Sequence, residues 1–366
     1  MIGFTVATVS YAAQARVAMA SLRIASPGIR RLVVFLDDAE RRMADTPDYE
    51  ALSIDDLGLD AEAWTTKRLI YDPFELSCAV KADVATALLA RHDEAVLYVD
   101  SDVYVYGDIA PALERSCAFD LTVAPHRLVP ALAGPGHNPE AIYFNYGPVN
   151  AGMFMVSRRS LPFLAWWQAQ NAFDCRNDRA DGAFVDQLSL ALAPVYWSVD
   201  ISRDPSMNVG FWNLAERRLA FDGDRPLVDG RPVTYVHFSG FDPAEPQVVS
   251  RHADADQRSV ADADPVMATL LARYAAELAA ADHDRQRTAP YAWRATADGA
   301  SLTPDLRRAL RTAIIDRRRA GAVDAMPDPF ATGLQPLATW LKTGTAPAPP
   351  TAAAPAGLRL NSLVHR

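Results

Sequence analysis

The chain has 366 residues, 50% of them hydrophobic, and its formal net charge is -9. This length allows one large domain with appendages. The acidic balance argues against a protein that wraps nucleic acid, because phosphate groups need a concentrated basic surface. The cysteines at 78, 117 and 175 are far apart and form no CxxC pair, which argues against a disulfide framework and a zinc ribbon. Neither a secretory leader pattern nor an apolar run of membrane-spanning length is found, so we expect a soluble cytoplasmic protein.

Short apolar runs alternate with helical spacing along the first two thirds of the chain. In chain order, the patterns predict a strand over 2–9, a helix over 12–25, a strand over 31–36, a helix over 77–89, strands over 95–99, 103–107 and 121–124, a loop over 126–149, a strand over 153–156, a helix over 164–170 and a strand over 233–237. Because strand–helix–strand units form parallel sheets, we expect an α/β fold with a mostly parallel sheet flanked by helices.

The composition changes after about residue 255. Helical spacing covers 264–282 and 303–320, whereas the Ala- and Pro-rich segment from 344 cannot build a core. We therefore expect a catalytic domain over 1–250, a helical C-terminal extension over 255–343, and a linker with a short tail over 344–366.

One pair of carboxylates lies at the end of a predicted strand. Asp100-Ser101-Asp102 directly follows the apolar strand over 95–99. Ligands of parallel sheets bind at the carboxyl ends of strands, and Mg²⁺ and Mn²⁺ prefer carboxylate and phosphate oxygens. The pair therefore suits a metal that binds a nucleotide diphosphate. A solvated turn is the alternative, since aspartates are common in turns.

A second strand end carries His237, which is followed by Phe238-Ser239-Gly240. An imidazole is a good third ligand for Mn²⁺, and Gly240 would let the backbone approach a phosphate closely. A partly buried structural histidine is the alternative. The shared position at a strand end favours the metal site.

Three other polar residues suit a sugar and its phosphates. The amide of Asn150 can hydrogen-bond sugar hydroxyls, and Asp186 can orient the sugar or stabilise positive charge in the transition state. Lys81, on the predicted helix over 77–89, can reach a phosphate or an aspartate of the pair. The alternatives are a turn residue, a helix cap and an exposed lysine.

Several motifs occur together in the order found in one family. They are Ala7-Thr8-Val9-Ser10-Tyr11, Glu75 to Lys81, Val96 to Asp102, Asn150-Ala151-Gly152, Asp186-Gln187 and His237 to Gly240. With this set, residues 3–243 resemble bacterial retaining glycosyltransferases of the GT-A (Rossmann-like) fold, the group of the lipopolysaccharide galactosyltransferases and glycogenin. The resemblance implies that a sugar is moved from a nucleotide diphosphate donor, UDP being the expected nucleotide, to a glycan or lipid-linked acceptor, with retention of configuration.

The resemblance implies a metal site and its surroundings. Asp100, Asp102 and His237 would hold Mn²⁺ or Mg²⁺, and Ser101 and Gly240 would lie beside the donor diphosphate. Metal-assisted departure of the diphosphate is then the expected mechanism.

Roles for the rest of the donor site are also implied. Thr8 and Tyr11 would lie at the nucleotide base, and Lys81 would support the phosphates. The residues implied to line the sugar are Asn150, Asp186 and Gln187. Of these, we expect Asp186 and Gln187 to be catalytic.

The chain departs from the family pattern at two positions. The lysine that often follows the HxxG segment is replaced by Pro243, so another cation, Lys81 or a mobile arginine, must neutralise the leaving diphosphate. The family's DQD run ends in Leu188 here, which leaves the acceptor contacts open.

Two other functions stay open. A sugar nucleotidyltransferase should carry a Gly-rich, basic segment near the first strand, whereas residues 2–16 contain one glycine and one arginine. A catalytically inactive carbohydrate- or nucleotide-binding relative is disfavoured by the intact DxD and HxxG motifs.

The predicted helix over 303–320 is basic and amphipathic. Its apolar stripe can pack on the protein itself, or the helix can contact an anionic membrane surface where a lipid-linked acceptor is found. The first reading is favoured, because most amphipathic helices pack on their own protein. The second predicts peripheral attachment at the inner membrane face.

Overall fold

A computed structural model of the chain describes residues 1–38, 43–131 and 138–343. The strands are β1 (Ile2–Ala7), β2 (Arg30–Phe35), β3 (Glu50–Ser53), β4 (Val96–Val99), β5 (Val103–Val105), β6 (Leu121–Pro125), β7 (Val149–Val156), β8 (Asn177–Asp178), β9 (Ala183–Phe184), β10 (Val199–Ile201), β11 (Leu219–Asp222), β12 (Arg225–Val228), β13 (Arg231–Pro232) and β14 (Tyr235–His237).

The helices are α1 (Ala12–Ala25), α2 (Ala61–Ile70), α3 (Pro73–Ala79), α4 (Lys81–Arg91), α5 (Ala110–Ser116), α6 (Ile142–Tyr146), α7 (Leu161–Gln170), α8 (Ala193–Tyr196), α9 (Ala255–Asp262), α10 (Pro265–Ala280), α11 (His283–Gln286), α12 (Pro304–Arg319), α13 (Pro329–Thr332) and α14 (Leu334–Lys342).

The central sheet has seven strands in the order β10-β6-β7-β4-β1-β2-β3. β3, β2, β1 and β4 pair in parallel, as do β10 and β6. β7 is antiparallel to both of its neighbours, β4 and β6. The predicted mostly parallel α/β sheet is therefore confirmed.

The central strands are continuous apolar runs because the sheet is covered on both faces. Every residue of β1, β4 and β7 is buried. Met19 and Leu22 of α1 join one core cluster with Leu97 and Val99 of β4. This packing fixes the carboxyl end of β4, where the first predicted site residues follow.

A small second sheet sits beside the end of β4. β5 pairs in antiparallel fashion with β14, and His237 lies opposite Val103 in the register. The Phe238 backbone N–H donates to the Asp102 carbonyl oxygen at 2.8 Å. The backbone pairing thus brings two distant segments of the chain together.

Several predicted elements differ from the structure: the strand predicted over 153–156 begins at Val149, and the strand predicted over 2–9 ends at Ala7. The single helix predicted over 77–89 is two helices, α3 and α4, that meet at Val80. α3 begins at Pro73, before the predicted start at residue 77. Asp72 caps this helix and forms a capping box with Glu75, and Pro73 occupies the first helical position. The loop predicted over 126–149 contains α6, while its residues 132–137 lie outside the described residues.

The chain divides into two compact units, Met1–Trp293 and the residues from Arg294 onward. Helices α9, α10 and α11 belong to the first unit, and α12, α13 and α14 to the second. The functional division near residue 250 stays a prediction. The predicted linker and tail over 344–366 lie outside the described residues.

Within the second unit, two arginines of the basic helix α12 contact Trp340 of α14. Arg317 lies 4.3 Å from the Trp340 ring centroid and Arg318 lies 5.1 Å from it. Arg317 also binds both carboxylate oxygens of Asp324, at 2.8 and 2.7 Å. In the described part of the chain, no helix combines the length and apolar character needed to span a bilayer.

Candidate active site

The turn after β4 carries the two predicted aspartates. The Asp100 backbone N–H donates to the Gly152 carbonyl oxygen at 2.7 Å, and the Val103 N–H donates to the Asp100 carbonyl oxygen at 3.1 Å. These bonds fix the turn between the central sheet and β5. The carboxylates of Asp100 and Asp102 therefore stand together at the sheet edge.

His237 lies against this pair. Its Nε2 is 3.0 Å from Oδ1 of Asp102 and 3.9 Å from Oδ2 of Asp100. One ligand atom from each of the three side chains lies within 4.8 Å of the others, which marks them, among the described residues, as a group able to hold a metal ion. Two carboxylates and an imidazole suit Mn²⁺ or Mg²⁺, so the donor set fits the predicted metal.

Charge interactions in this group change two pKa values. Burial lowers the pKa of His237, but the carboxylates of Asp102 and Asp100 outweigh it, so the net shift is upward. Burial raises the pKa of Asp102, but the His237 imidazole outweighs it, and the net shift is downward. Both shifts favour an imidazolium paired with carboxylates when no cation is bound, and a metal ion bound by Nε2 would have to replace the proton on that nitrogen.

The Lys81 ammonium group is buried beside the aspartates. Its Nζ lies 3.2 Å from Oδ1 of Asp100 and 3.3 Å from Oδ2 of Asp186, and it donates to the Ala151 carbonyl oxygen at 3.2 Å. Burial lowers the pKa of Lys81, but the two carboxylates raise it well above its ordinary value. Lys81 is thus a charged lysine held by aspartates, not an exposed one.

Asp186 and Gln187 follow a strained residue. Val185, which is β-branched, has a φ of 36°, a region that such residues rarely adopt. Its N–H donates to the Arg176 carbonyl oxygen at 2.9 Å, and Trp167 Nε1 donates to the Asp186 carbonyl oxygen at 3.0 Å. Burial raises the pKa of Asp186, and Lys81 opposes that shift.

The side-chain amides of Gln187 and Asn150 are both engaged inside the protein. Gln187 Oε1 accepts from the Ala151 N–H at 3.1 Å, and its Nε2 donates to the Tyr146 carbonyl oxygen at 2.6 Å. Asn150 Oδ1 accepts from the Gly152 N–H at 2.9 Å and lies 3.2 Å from Nδ1 of His237. These bonds hold both amides in place, and both residues are buried.

An open cavity of about 400 Å³ lies in front of the aspartates, within the usual size of small-molecule sites. The predicted residues that line it are Thr8, Tyr11, Lys81, Asp100, Ser101, Asp102 and Gly240. The other predicted residues form a buried layer next to this wall, namely Asn150, Asp186, Gln187 and His237. The site therefore has a wall that lines the cavity, in which Thr8 and Lys81 are themselves buried, and a buried layer behind that wall.

Sequence reasoning missed part of the wall. Arg251, His252 and Tyr274 line the same cavity. The Arg251 N–H donates to the Gly240 carbonyl oxygen at 2.9 Å, which ties this segment to the HxxG turn. The only sequence signal for Arg251 and His252 was that a cationic and an imidazole side chain are adjacent, because neither residue directly follows a predicted strand or helix.

Comparison with known proteins places these features in context. No protein-family model matches the chain. An uncharacterized protein of Bacillus subtilis (strain 168), YfnF, is 28% identical over 155 residues, which are 40% of this chain and 50% of that protein. The match therefore spans half the length of this relative.

Solved structures that are similar to the chain include two transferases. The galactosyltransferase LgtC, in complex with donor and acceptor sugar analogues, is 16% identical, with 80% of this chain and 99% of that chain covered and a TM-score of 0.42. Mouse xyloside xylosyltransferase 1, in its apo form, is 12% identical, with 64% and 96% covered and a TM-score of 0.39. Such TM-scores do not establish a shared fold, so the α/β assignment rests on the strand order of this chain. Both proteins are glycosyltransferases, the class that the sequence motifs resemble.

Replacing Gly152 by alanine should disturb the group of Asp100, Asp102 and His237, the candidate metal site. The added Cβ would lie 2.3 Å from Cε1 of His237 and 2.7 Å from Oδ1 of Asn150, so the imidazole must move. We expect Mn²⁺ affinity to fall at least about tenfold and stability to fall by about 1–3 kcal/mol. Mn²⁺ titration and thermal unfolding measure the two effects.

Gly28→Ala is the matched control, because a Cβ there would meet nothing within 4 Å. Unchanged Mn²⁺ affinity in the folded Gly152→Ala protein would show that the close approach to His237 does not matter for the metal.

Proposed function

We propose that the chain is a glycosyltransferase that moves a sugar from a nucleotide diphosphate donor to a hydroxyl group of a glycan or lipid-linked acceptor. UDP is the proposed nucleotide of the donor. The observation that carries this proposal is the group of Asp100, Asp102 and His237, in which both aspartates line a cavity of about 400 Å³ and the buried His237 lies against them. Thr8 and Tyr11 line the same cavity, where the base of the nucleotide would lie.

The proposed chemistry depends on charge. Asp100, Asp102 and His237 would hold Mn²⁺ or Mg²⁺, which as a Lewis acid stabilises the negative charge of the departing diphosphate. The buried carboxylate of Asp186 would stabilise the positive charge that develops on the sugar ring, with Gln187 beside it. The resemblance to retaining enzymes supports retention of configuration, which NMR of the product reports.

Arg251 is our candidate for the cation that neutralises the diphosphate, since Pro243 occupies the usual lysine position. Lys81 is already held by Asp100 and Asp186. Arg251 lines the cavity together with Ser101, Asp102 and Gly240. A guanidinium group suits this task because it binds phosphate oxygens in a bidentate manner.

Asp102→Asn should reduce the transfer rate below about a tenth of the wild-type rate, a loss of at least ~1.4 kcal/mol. One carboxylate of the metal group is then lost while the side-chain volume is kept. The assay is release of nucleotide diphosphate from a panel of UDP- and GDP-sugars, with Mn²⁺ and with EDTA. Asp93→Asn, at a carboxylate that is 85% exposed, is the control.

Each outcome of this assay separates the candidate functions. Equal release of nucleotide diphosphate in EDTA and in Mn²⁺ would overturn the metal role. Metal-dependent donor binding, measured by isothermal titration, without any release or transfer would identify a catalytically inactive relative.

Arg251→Gln should raise the Kd for the nucleoside diphosphate about tenfold, or ~1.4 kcal/mol, and leave the Kd for the nucleoside alone unchanged. The reason is that the guanidinium group would contact only the phosphates. Isothermal titration of both ligands measures the difference. Arg258→Gln, at an exposed arginine of α9, is the control, and equal effects of the two substitutions would contradict the assignment.

We also propose a test of peripheral contact with an anionic membrane, which would serve a lipid-linked acceptor. Arg317 and Arg318 of α12 are engaged with Trp340, which favours packing within the second unit. If the helix binds membranes, sedimentation with vesicles should require anionic lipid and weaken with salt. We expect no sedimentation with anionic vesicles at low salt, and salt-sensitive sedimentation would reverse this expectation.

A further inference from the structure

A chain of hydrogen bonds runs from the end of β6 to the metal group. Nε2 of His126 lies 3.3 Å from Nδ2 of Asn150, and Oδ1 of Asn150 lies 3.2 Å from Nδ1 of His237. The three side chains are 7%, 6% and 5% exposed. His126 immediately follows β6, and Asn150 is the second residue of β7. The three residues thus form a buried relay that ends at His237.

The direction of each bond in the relay follows from which groups can donate. A backbone N–H only donates, and the Gly152 N–H lies 2.9 Å from the Asn150 side-chain oxygen, so this oxygen faces His237. The Asn150 amide nitrogen then faces His126 and must donate to its Nε2. A proton on Nε2 of His126 would place two donors face to face.

The same logic fixes the proton of His237. Oδ1 of Asn150 has only acceptor capacity, so Nδ1 of His237 must carry a proton and donate to it. The lone pair of a neutral His237 then lies on Nε2, the atom that is 3.0 Å from Asp102. This is the nitrogen that faces the carboxylates.

Packing holds the relay in place. The Trp212 ring contacts both imidazoles edge-on, with centroid distances of 5.3 Å to His126 and 5.3 Å to His237. Tyr143 lies over His126 at 5.6 Å. Burial lowers the pKa of His126 to about 4, so its imidazole is neutral at neutral pH. Nε2 then accepts when the one proton is on Nδ1, an atom that has no hydrogen-bond partner among the described residues.

The backbone that carries His126 is also anchored. Nδ2 of Asn213 donates to the His126 carbonyl oxygen at 2.9 Å, and Nδ2 of Asn208 donates to the Pro125 carbonyl oxygen at 3.0 Å. His126, at the far end of the relay, is therefore held in place, and its position sets the orientation of the Asn150 amide.

We propose that His126 and Asn150 are positioning residues that fix the ring orientation and the tautomer of His237, so that its Nε2 is presented to a divalent cation held with Asp100 and Asp102. Residues that bond the far nitrogen of a metal-binding histidine typically change metal affinity by about 10–100-fold when they are lost. The inference rests on the proposed metal site, and it assigns Asn150 a supporting role in place of the sugar contact that its sequence position suggested.

Metal binding by three variants at position 126 and its neighbour tests the relay. His126→Leu removes the acceptor for Asn150, while His126→Gln keeps an acceptor oxygen near the place of Nε2. Tyr143→Phe changes a residue that contacts the same ring and leaves the relay intact. The probe is Mn²⁺ alone, with free Mn²⁺ measured by electron paramagnetic resonance, and unfolding in EDTA reports whether each variant is folded.

We expect the Kd for Mn²⁺ to rise at least about tenfold in His126→Leu, by less than about threefold in His126→Gln, and not at all in Tyr143→Phe. Wild-type affinity in folded His126→Leu would overturn the proposal. Equal losses in His126→Leu and His126→Gln would also overturn it, because packing alone would then explain the effect.

A second measurement needs neither a variant nor a metal. Long-range proton–nitrogen NMR of the wild-type protein in EDTA, with ¹⁵N-labelled histidine, reports the tautomer of neutral His126. The relay requires the Nδ1-protonated form, and an Nε2-protonated His126 would overturn it. If wild-type protein binds no Mn²⁺ while His126 has the required tautomer, the proposed metal site fails and the hydrogen-bond relay stands.

Discussion

The ammonium group of Lys81 lies between the carboxylates of Asp100 and Asp186, at 3.2 and 3.3 Å. Asp186 is almost fully buried, and a buried carboxylate is costly unless a cation and hydrogen bonds compensate it. Lys81 makes it possible to keep Asp100 and Asp186 close together. The position of Asp100, and through it the group of Asp100, Asp102 and His237, depends on this buried cation.

The wall and the buried layer of the site follow from different physical demands. Side chains on the wall have an accessible face, so they can bind a ligand that comes and goes. The buried residues Asn150 and Gln187 already have partners inside the protein, so they are suited to holding other groups in place. Asp186 is buried against Lys81, so it can act on a ligand through its charge. A residue's occurrence in a sequence motif does not by itself say which of these demands it meets.

Local sequence patterns were sufficient to predict the helices and strands with regular apolar spacing and the site residues at the ends of strands. The strand before Asp100, helix α1 and the strand that ends at His237 were all predicted within a few residues. The pairing of His126 with Asn150 was not predictable, because it depends on the neighbouring positions of β6 and β7 in the sheet. Arg251 was missed for a related reason, since its backbone bond to Gly240 alone places it at the cavity.

The reversed direction of β7 has a practical meaning for redesign. Because β7 is antiparallel to β4 and β6, its first residues lie at the sheet edge where β4 and β6 end. Residues at the start of β7 can therefore contact residues that follow either strand. The position of Asn150 is held by sheet pairing, with Ala124 opposite it in the register. The connection between β6 and β7 carries His126 at its start and Tyr143 in α6, so a redesign of this connection has to keep both residues if the surroundings of His237 are to stay unchanged.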